Sequence, residues 1–86
     1  MNQAIQFPDR RHWDEERQAV CFPALVNGFQ VQCAVTLRYL TVLKEGADPL
    51  TIFDDMRWDL EDLTEQRILA EDYDASGWIW LDVSAR

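Results

Sequence analysis

Eighty-six residues with a formal net charge of −8, 48% hydrophobic residues and ten aromatics describe one packed domain spanning residues 1–86, not a disordered chain. Such a chain buries on the order of 60–65% of its unfolded surface, enough for one modest core. No apolar run approaches the roughly 20 residues of a membrane span, no apolar leader is read at the start, and no basic run extends beyond Arg10-Arg11, which argues against membrane insertion, secretion and direct nucleic-acid binding, and a cytoplasmic protein is expected.

In chain order, Gln3 to Phe7 alternates weakly and predicts a short strand ended by Pro8. Asp9 to Gln18 is charged and predicts a loop or single turn, with Trp13 packing over an edge of the core. Ala19 to Thr36 is the strongest signal. Asn27-Gly28 supplies the two positive-φ residues of a type I′ turn between two alternating runs. Pairing outward from Val26 opposite Phe29 places Ala24 by Val31, Phe22 by Cys33 and Val20 by Val35, which makes one face apolar. Cys21 and Cys33 then point to opposite faces, which argues against a disulfide and fits a reducing compartment. Pro23 lacks the N–H that an outer strand would need, so the Gln30 strand is expected at the centre of the sheet.

Thr36 is placed to cap a helix over 37–45, with Gly46 just beyond its end. Asp48-Pro49 opens the next helix. Its apolar stripe reads Ile52, Phe53, Met56, Leu60, Leu63 and Ala70, with Arg67 inside it, and predicts one long helix. A capping box at Asp62 to Glu65 offers a break as the alternative. Tyr73 to Gly77 is an exit turn. Trp78 to Val83 alternates again, with Ile79, Leu81 and Val83 on one face and Trp78, Trp80 and Asp82 on the other. The order is β-β-β-α-α-β. It predicts an α+β fold of two layers, an antiparallel sheet of about four strands with two helices on one face.

Ile5-Gln-Phe7 followed by Trp13-Asp14, then Val20-Cys-Phe22, Asn27-Gly28 and Gln32-Cys-Ala-Val35 leading into a helix, resemble a family of short bacterial proteins known only as a domain of unknown function. The resemblance spans essentially the whole chain. It implies a small α+β fold and carries no activity or catalytic residue with it. The helix opening Thr36-Leu37-Arg38-Tyr39 departs from the Ser/Glu character of its relatives.

Candidate chemistry is sparse. Asp72, Asp74 and Ser76 with Gly77 and Ile79 follow the first eight positions of an EF-hand loop, but Val83 stands where the bidentate Glu belongs. The plain reading is an acidic turn. His12, the one histidine, lies in a charged run that supplies no evident partner for acid–base or metal chemistry. The cysteines lack a CxxC spacing and a basic setting, so Cys33 reads as core and Cys21 as partly accessible. Phosphate-binding loops, dinucleotide fingerprints and nucleophile elbows are absent from the sequence. No cofactor is expected.

Ten carboxylates between Asp48 and Asp74 form an acidic helix surface. Trp78 and Trp80 share one strand face and Trp58 lies off the helical stripe, and tryptophan is enriched at binding hot spots. The preferred expectation is a non-enzymatic interaction or accessory module that binds itself or a protein partner through these residues. A metal-responsive protein or enzyme using the Asp72/Asp74/Ser76 turn, and an acidic mimic of nucleic acid, are the alternatives.

Overall fold

The computed structural model describes residues 4–83. Five strands form one sheet: β1 (Ile5–Gln6), β2 (His12–Asp14), β3 (Ala19–Val26), β4 (Phe29–Thr36) and β5 (Ile79–Leu81). Its order is β1-β3-β4-β5, and β2 shares the outer edge of β3 with β1. Between β4 and β5 come α1 (Leu37–Leu43), α2 (Pro49–Asp55) and α3 (Arg57–Leu69).

The β3–β4 hairpin has the register its turn demands, from Val26 opposite Phe29 to Ala19 opposite Thr36. Asn27 at φ 52° and Gly28 at φ 86° occupy the turn. The Asn27 amide donates to the Ala4 carbonyl at 2.8 Å and its Oδ1 accepts from the Ala4 amide at 3.1 Å, so the same residue docks the start of β1. Pro23 shapes the outer edge. β1 pairs with Leu25 and Val26, β2 pairs with Ala19 to Cys21, and neither pairs at Phe22, Pro23 or Ala24. Residues 7–11 cross this gap, where no ladder partner could have met the missing N–H. Both hairpin strands are therefore interior to the sheet, not the Gln30 strand alone.

Three features depart from the sequence reading. His12–Asp14 is a strand within the charged run read as a loop; Trp13 opposes Val20 and packs partly buried on the core. β5 runs parallel to β4, pairing Cys33 with Ile79 and Val35 with Leu81, so the sheet is only mostly antiparallel. A crossover through helices returns the chain to the start of β4, and alternation within a strand carries no information about direction. The single long helix is instead two, bent at Met56 (φ −105°, ψ 14°). Amide bonds continue through the bend, Met56 to Ile52 and Leu60 to Met56, each at 3.0 Å. Neither Pro nor Gly stands at the bend, and Arg57 follows it directly. The bend rotates the buried set of α3 to Leu60, Thr64 and Ile68, leaving Arg67 and Ala70 exposed. Thr64 is accommodated by donating its hydroxyl to the Leu60 carbonyl at 2.7 Å.

All the helices lie on one face of the sheet. The main core joins Val20, Phe22, Ala24, Cys33, Val35, Ile79 and Leu81 of the strands to Leu40, Ile52, Phe53, Leu60 and Ile68 of the helices. Phe22 and Phe53 meet with ring centroids 5.0 Å apart. α1 starts where expected, since Thr36 Oγ1 accepts from the Tyr39 amide at 3.2 Å, and ends at Leu43. Asp48 caps α2 through the Leu50 amide at 3.1 Å.

Candidate functional site

Among the described residues, the second face of the sheet has no helical layer. Alternation sends Ala19, Cys21 and Ala34 to this side, where they form a separate buried cluster. Its cover is the pair Trp78 and Trp80, stacked with centroids 6.0 Å apart and an interplanar angle of 24°. Ala34 is the register partner of Trp80, and its small side chain leaves room for the indole to pack against it. Neither Trp13 nor β1 folds over these rings; both pack on the helical side. The two rings are partly buried against the sheet and partly open to solvent.

Asp74 organises this surface. Its Oδ1 accepts from the Ser76 amide at 2.8 Å and the Trp78 amide at 2.9 Å, while Oδ2 accepts from the Trp80 indole at 2.8 Å. The Trp78 amide, with the Trp80 indole and the Ser76 and Gly77 amides, holds the Asp74 carboxyl below its ordinary value. The acidic turn thus acts as an anchor for the tryptophans. Asp72 pairs with Arg67 at 3.0 Å, and the exit is a strand instead of the second helix of an EF-hand. Both carboxylates face protein donors.

Arg17 stacks its guanidinium 4.3 Å from the Trp78 ring centre and pairs with Asp14 at 2.9 Å. At the other end, Asp82 accepts from the Thr36 hydroxyl at 2.6 Å and from Arg38 at 2.7 Å. Burial pushes the Asp82 carboxyl up, but Thr36 and Arg38 outweigh it and hold the group below the usual range. Asp14 and Asp82 are thus paired with the cations of this face, while Asp74 is held by neutral N–H donors.

Trp58 does not join the other two. It is 87% exposed on α3, on the helical side of the molecule, beside Glu61, Asp62 and Glu65. Cys21 is 1% exposed, not partly accessible, and burial raises its thiol. Cys33 lies in the main core, where burial pushes its thiol up to about 12. His12, which the sequence left without partners, stands opposite Cys21 and on the same strand face as Asp14.

At the gap in the outer edge, an open cavity of about 840 Å³ is lined by Arg10, Arg11, His12, Pro23, Gln32 and Arg57 among others. Its cations are partly neutralised from within. Arg11 grips Asp54 with two bonds of 2.9 and 2.7 Å, and this fork raises the guanidinium and lowers the carboxyl. Arg57 donates to the Pro8 carbonyl at 2.8 Å and to Glu61 at 2.7 Å. These contacts fasten the crossing segment to α2 through Asp54 and to α3 through Arg57.

The architecture defines a small α+β protein whose sheet is covered by helices on one face and by two tryptophans on the other. The chain belongs to the family described as "Protein of unknown function (DUF1488)", matched over residues 5–81. It is 50% identical over 84 residues to "Uncharacterized protein YrdB" of Escherichia coli (strain K12), covering 94% of this chain and 99% of that one. The protein of the same description from Shigella flexneri is 49% identical over the same share of each chain. A crystal structure of a DUF1488-family protein of unknown function from Shewanella loihica PV-4 superposes with a TM-score of 0.88 at 30% identity, covering 94% of each chain.

Proposed function

We propose that this chain is a non-enzymatic interaction module, and that the tryptophan-bearing sheet face is its docking surface. The observation that carries the reading is that a sheet with helices on one side has on its other side a stacked Trp78–Trp80 pair with no further layer over it among the described residues. Tryptophans held rigid by an indole hydrogen bond and a cation–π contact lose little side-chain entropy on docking.

The occupant we favour is a second copy of the chain. Charge decides this. On the open face Asp14 and Asp82 are paired with Arg17 and Arg38 and Asp74 is bonded to neutral N–H donors, whereas the surplus carboxylates lie on the helices behind it. Two copies stacked face to face would keep their acidic layers pointing apart, about 10 Å between sheets being ordinary sandwich spacing. Two eight-residue strands about 26 Å long, flanked by strands of two or three residues, give a footprint of roughly 400 Å² per copy at about 4.8 Å per strand. About 800 Å² in total is the size of a weak, transient contact and supports a concentration-dependent dimer, not an obligate one.

Sedimentation equilibrium of the wild type beside Trp78→Ser/Trp80→Ser tests this. Gln32→Glu, next to Trp78 on the same face, introduces like charges without removing core. A wild-type dimer lost in both variants, with unchanged far-UV circular dichroism, supports the reading. A wild type that stays monomeric but retains a partner lost by both variants keeps the docking face and replaces the occupant. A monomer with no partner retained on this face overturns the proposal.

A further inference from the structure

Among the described residues, one group of three metal-ligating side chains comes together: His12, Asp14 and Cys21, whose ligand atoms all lie within 4.8 Å of one another. The ladder makes the group. His12 and Asp14 are two apart on β2 and so share a face, and His12 and Cys21 are register partners on β2 and β3. The backbone is thus a rigid frame of two hydrogen-bonded strands, the kind of element that positions ligands well. His12 is exposed and Asp14 half-buried, so both can turn toward the fixed sulfur of Cys21.

We infer that His12 Nδ1 or Nε2, an Asp14 carboxylate oxygen and Cys21 Sγ form a binding site for a zinc-like divalent cation. The donor set decides the cation. One imidazole, one thiolate and one carboxylate suit zinc, whereas calcium and magnesium take oxygen alone. Bond lengths of about 2.0–2.3 Å place tetrahedral ligand atoms roughly 3.2–3.8 Å apart, so closing the group takes about 1 Å of side-chain rotation. Asp14 already has outer support: Oδ1 accepts from the Arg17 amide at 3.0 Å and Oδ2 from the Arg17 guanidinium at 2.9 Å. Each oxygen keeps a lone pair for the metal, and fixing a ligand carboxylate from outside is what such partners do. Three protein ligands leave a fourth position for water or a donor from another molecule. On binding, the Cys21 thiol gives its proton to the buffer and its sulfur lone pair to the metal. No redox change is involved.

The site does not depend on the docking proposal, because a monomer carries all three ligands. The test uses the full chain, reduced and freed of metal, titrated with zinc chloride by calorimetry in two buffers of different ionisation enthalpy. Cobalt(II) serves as a spectroscopic probe. One zinc per chain, with release of a proton and a thiolate-to-cobalt charge-transfer band, is expected. His12→Gln changes an exposed side chain and leaves the core intact; it is expected to weaken zinc at least tenfold. Cys21→Ser is expected to abolish the cobalt band, while Cys33→Ser, in the opposite face, keeps it. Absence of saturable binding at submillimolar zinc overturns the inference, and so does binding that His12→Gln leaves unchanged.

Discussion

Replacing Arg57 with alanine is expected to destabilise the protein by about 2–3 kcal/mol. The side chain is only 16% exposed, and it performs three jobs at once. Its Nη2 donates to the Pro8 carbonyl at 2.8 Å, across 49 residues of sequence. A hydrogen bond from a charged donor contributes about 1.5–3 kcal/mol. Its Nε meets Glu61 one helical turn on at 2.7 Å, a pair that contributes about 0.3–0.5 kcal/mol. Its guanidinium lies 5.2 Å from the Phe53 ring centre, worth at least about 0.5–1 kcal/mol at a site this buried. The contributions share one side chain and do not add in full, so the lower part of their sum is the reasonable expectation. For a chain of this length the total stability is of the order of 4–13 kcal/mol, and a loss of this size is a large part of it. Urea denaturation followed by tryptophan fluorescence measures it. With a slope of about 1 kcal/mol per molar, the midpoint falls by about 2 M. Arg57→Lys keeps the charge but loses the fork, and is expected to recover less than half of the loss. A midpoint shift under about 0.5 M for the alanine variant would show that the crossing segment of residues 7–11 is not held by this residue.

The thiols give a second expectation. With Cys33 pushed up to about 12 and Cys21 raised by burial, native protein at pH 8 is expected to react with an aromatic disulfide reagent only as fast as it opens, and both thiols to react at once in denaturant; rapid labelling of either in the native state contradicts the burial described. Acid titration gives a third. Because folding lowers the Asp74 carboxyl, its stabilising contribution is complete above its unfolded value near about 4 and is lost as pH falls through the lower folded value. Tryptophan emission is expected to change below about pH 4, and Asp74→Asn, which cannot accept from the Trp80 indole in the same way, to abolish that acid-dependent step. Identical acid profiles for the two proteins would detach Asp74 from the tryptophan pair.

Local chemistry explains what could be read ahead of the structure. The hairpin register follows from Asn27-Gly28 and from alternation on both sides of it, so the pairs read outward from Val26 opposite Phe29 to Val20 opposite Val35 are those of the ladder. The facing of Ile79 and Leu81 against Trp78 and Trp80 follows from period two. Direction does not, and the parallel course of β5 is set by the helical crossover. β2 was hidden because three residues with one tryptophan, inside a charged run, show no period. The bend at Met56 has no Gly or Pro to announce it, and it moved the buried stripe from Arg67 and Ala70 to Thr64 and Ile68. The His12, Asp14 and Cys21 group was half legible, since residues two apart share a strand face, but only the pairing of β2 with β3 supplies the sulfur. Trp58 was grouped with the other tryptophans on exposure alone, and the helical layer separates them.

Sedimentation equilibrium of the wild type over a hundredfold range of concentration tests the docking face most directly. The expected result is a mass rising from monomer toward dimer, with Trp78→Ser/Trp80→Ser and Gln32→Glu remaining monomeric and folded throughout. A dimer that persists unchanged in both variants, or a monomer at every concentration with no partner that depends on Trp78 and Trp80, would contradict it.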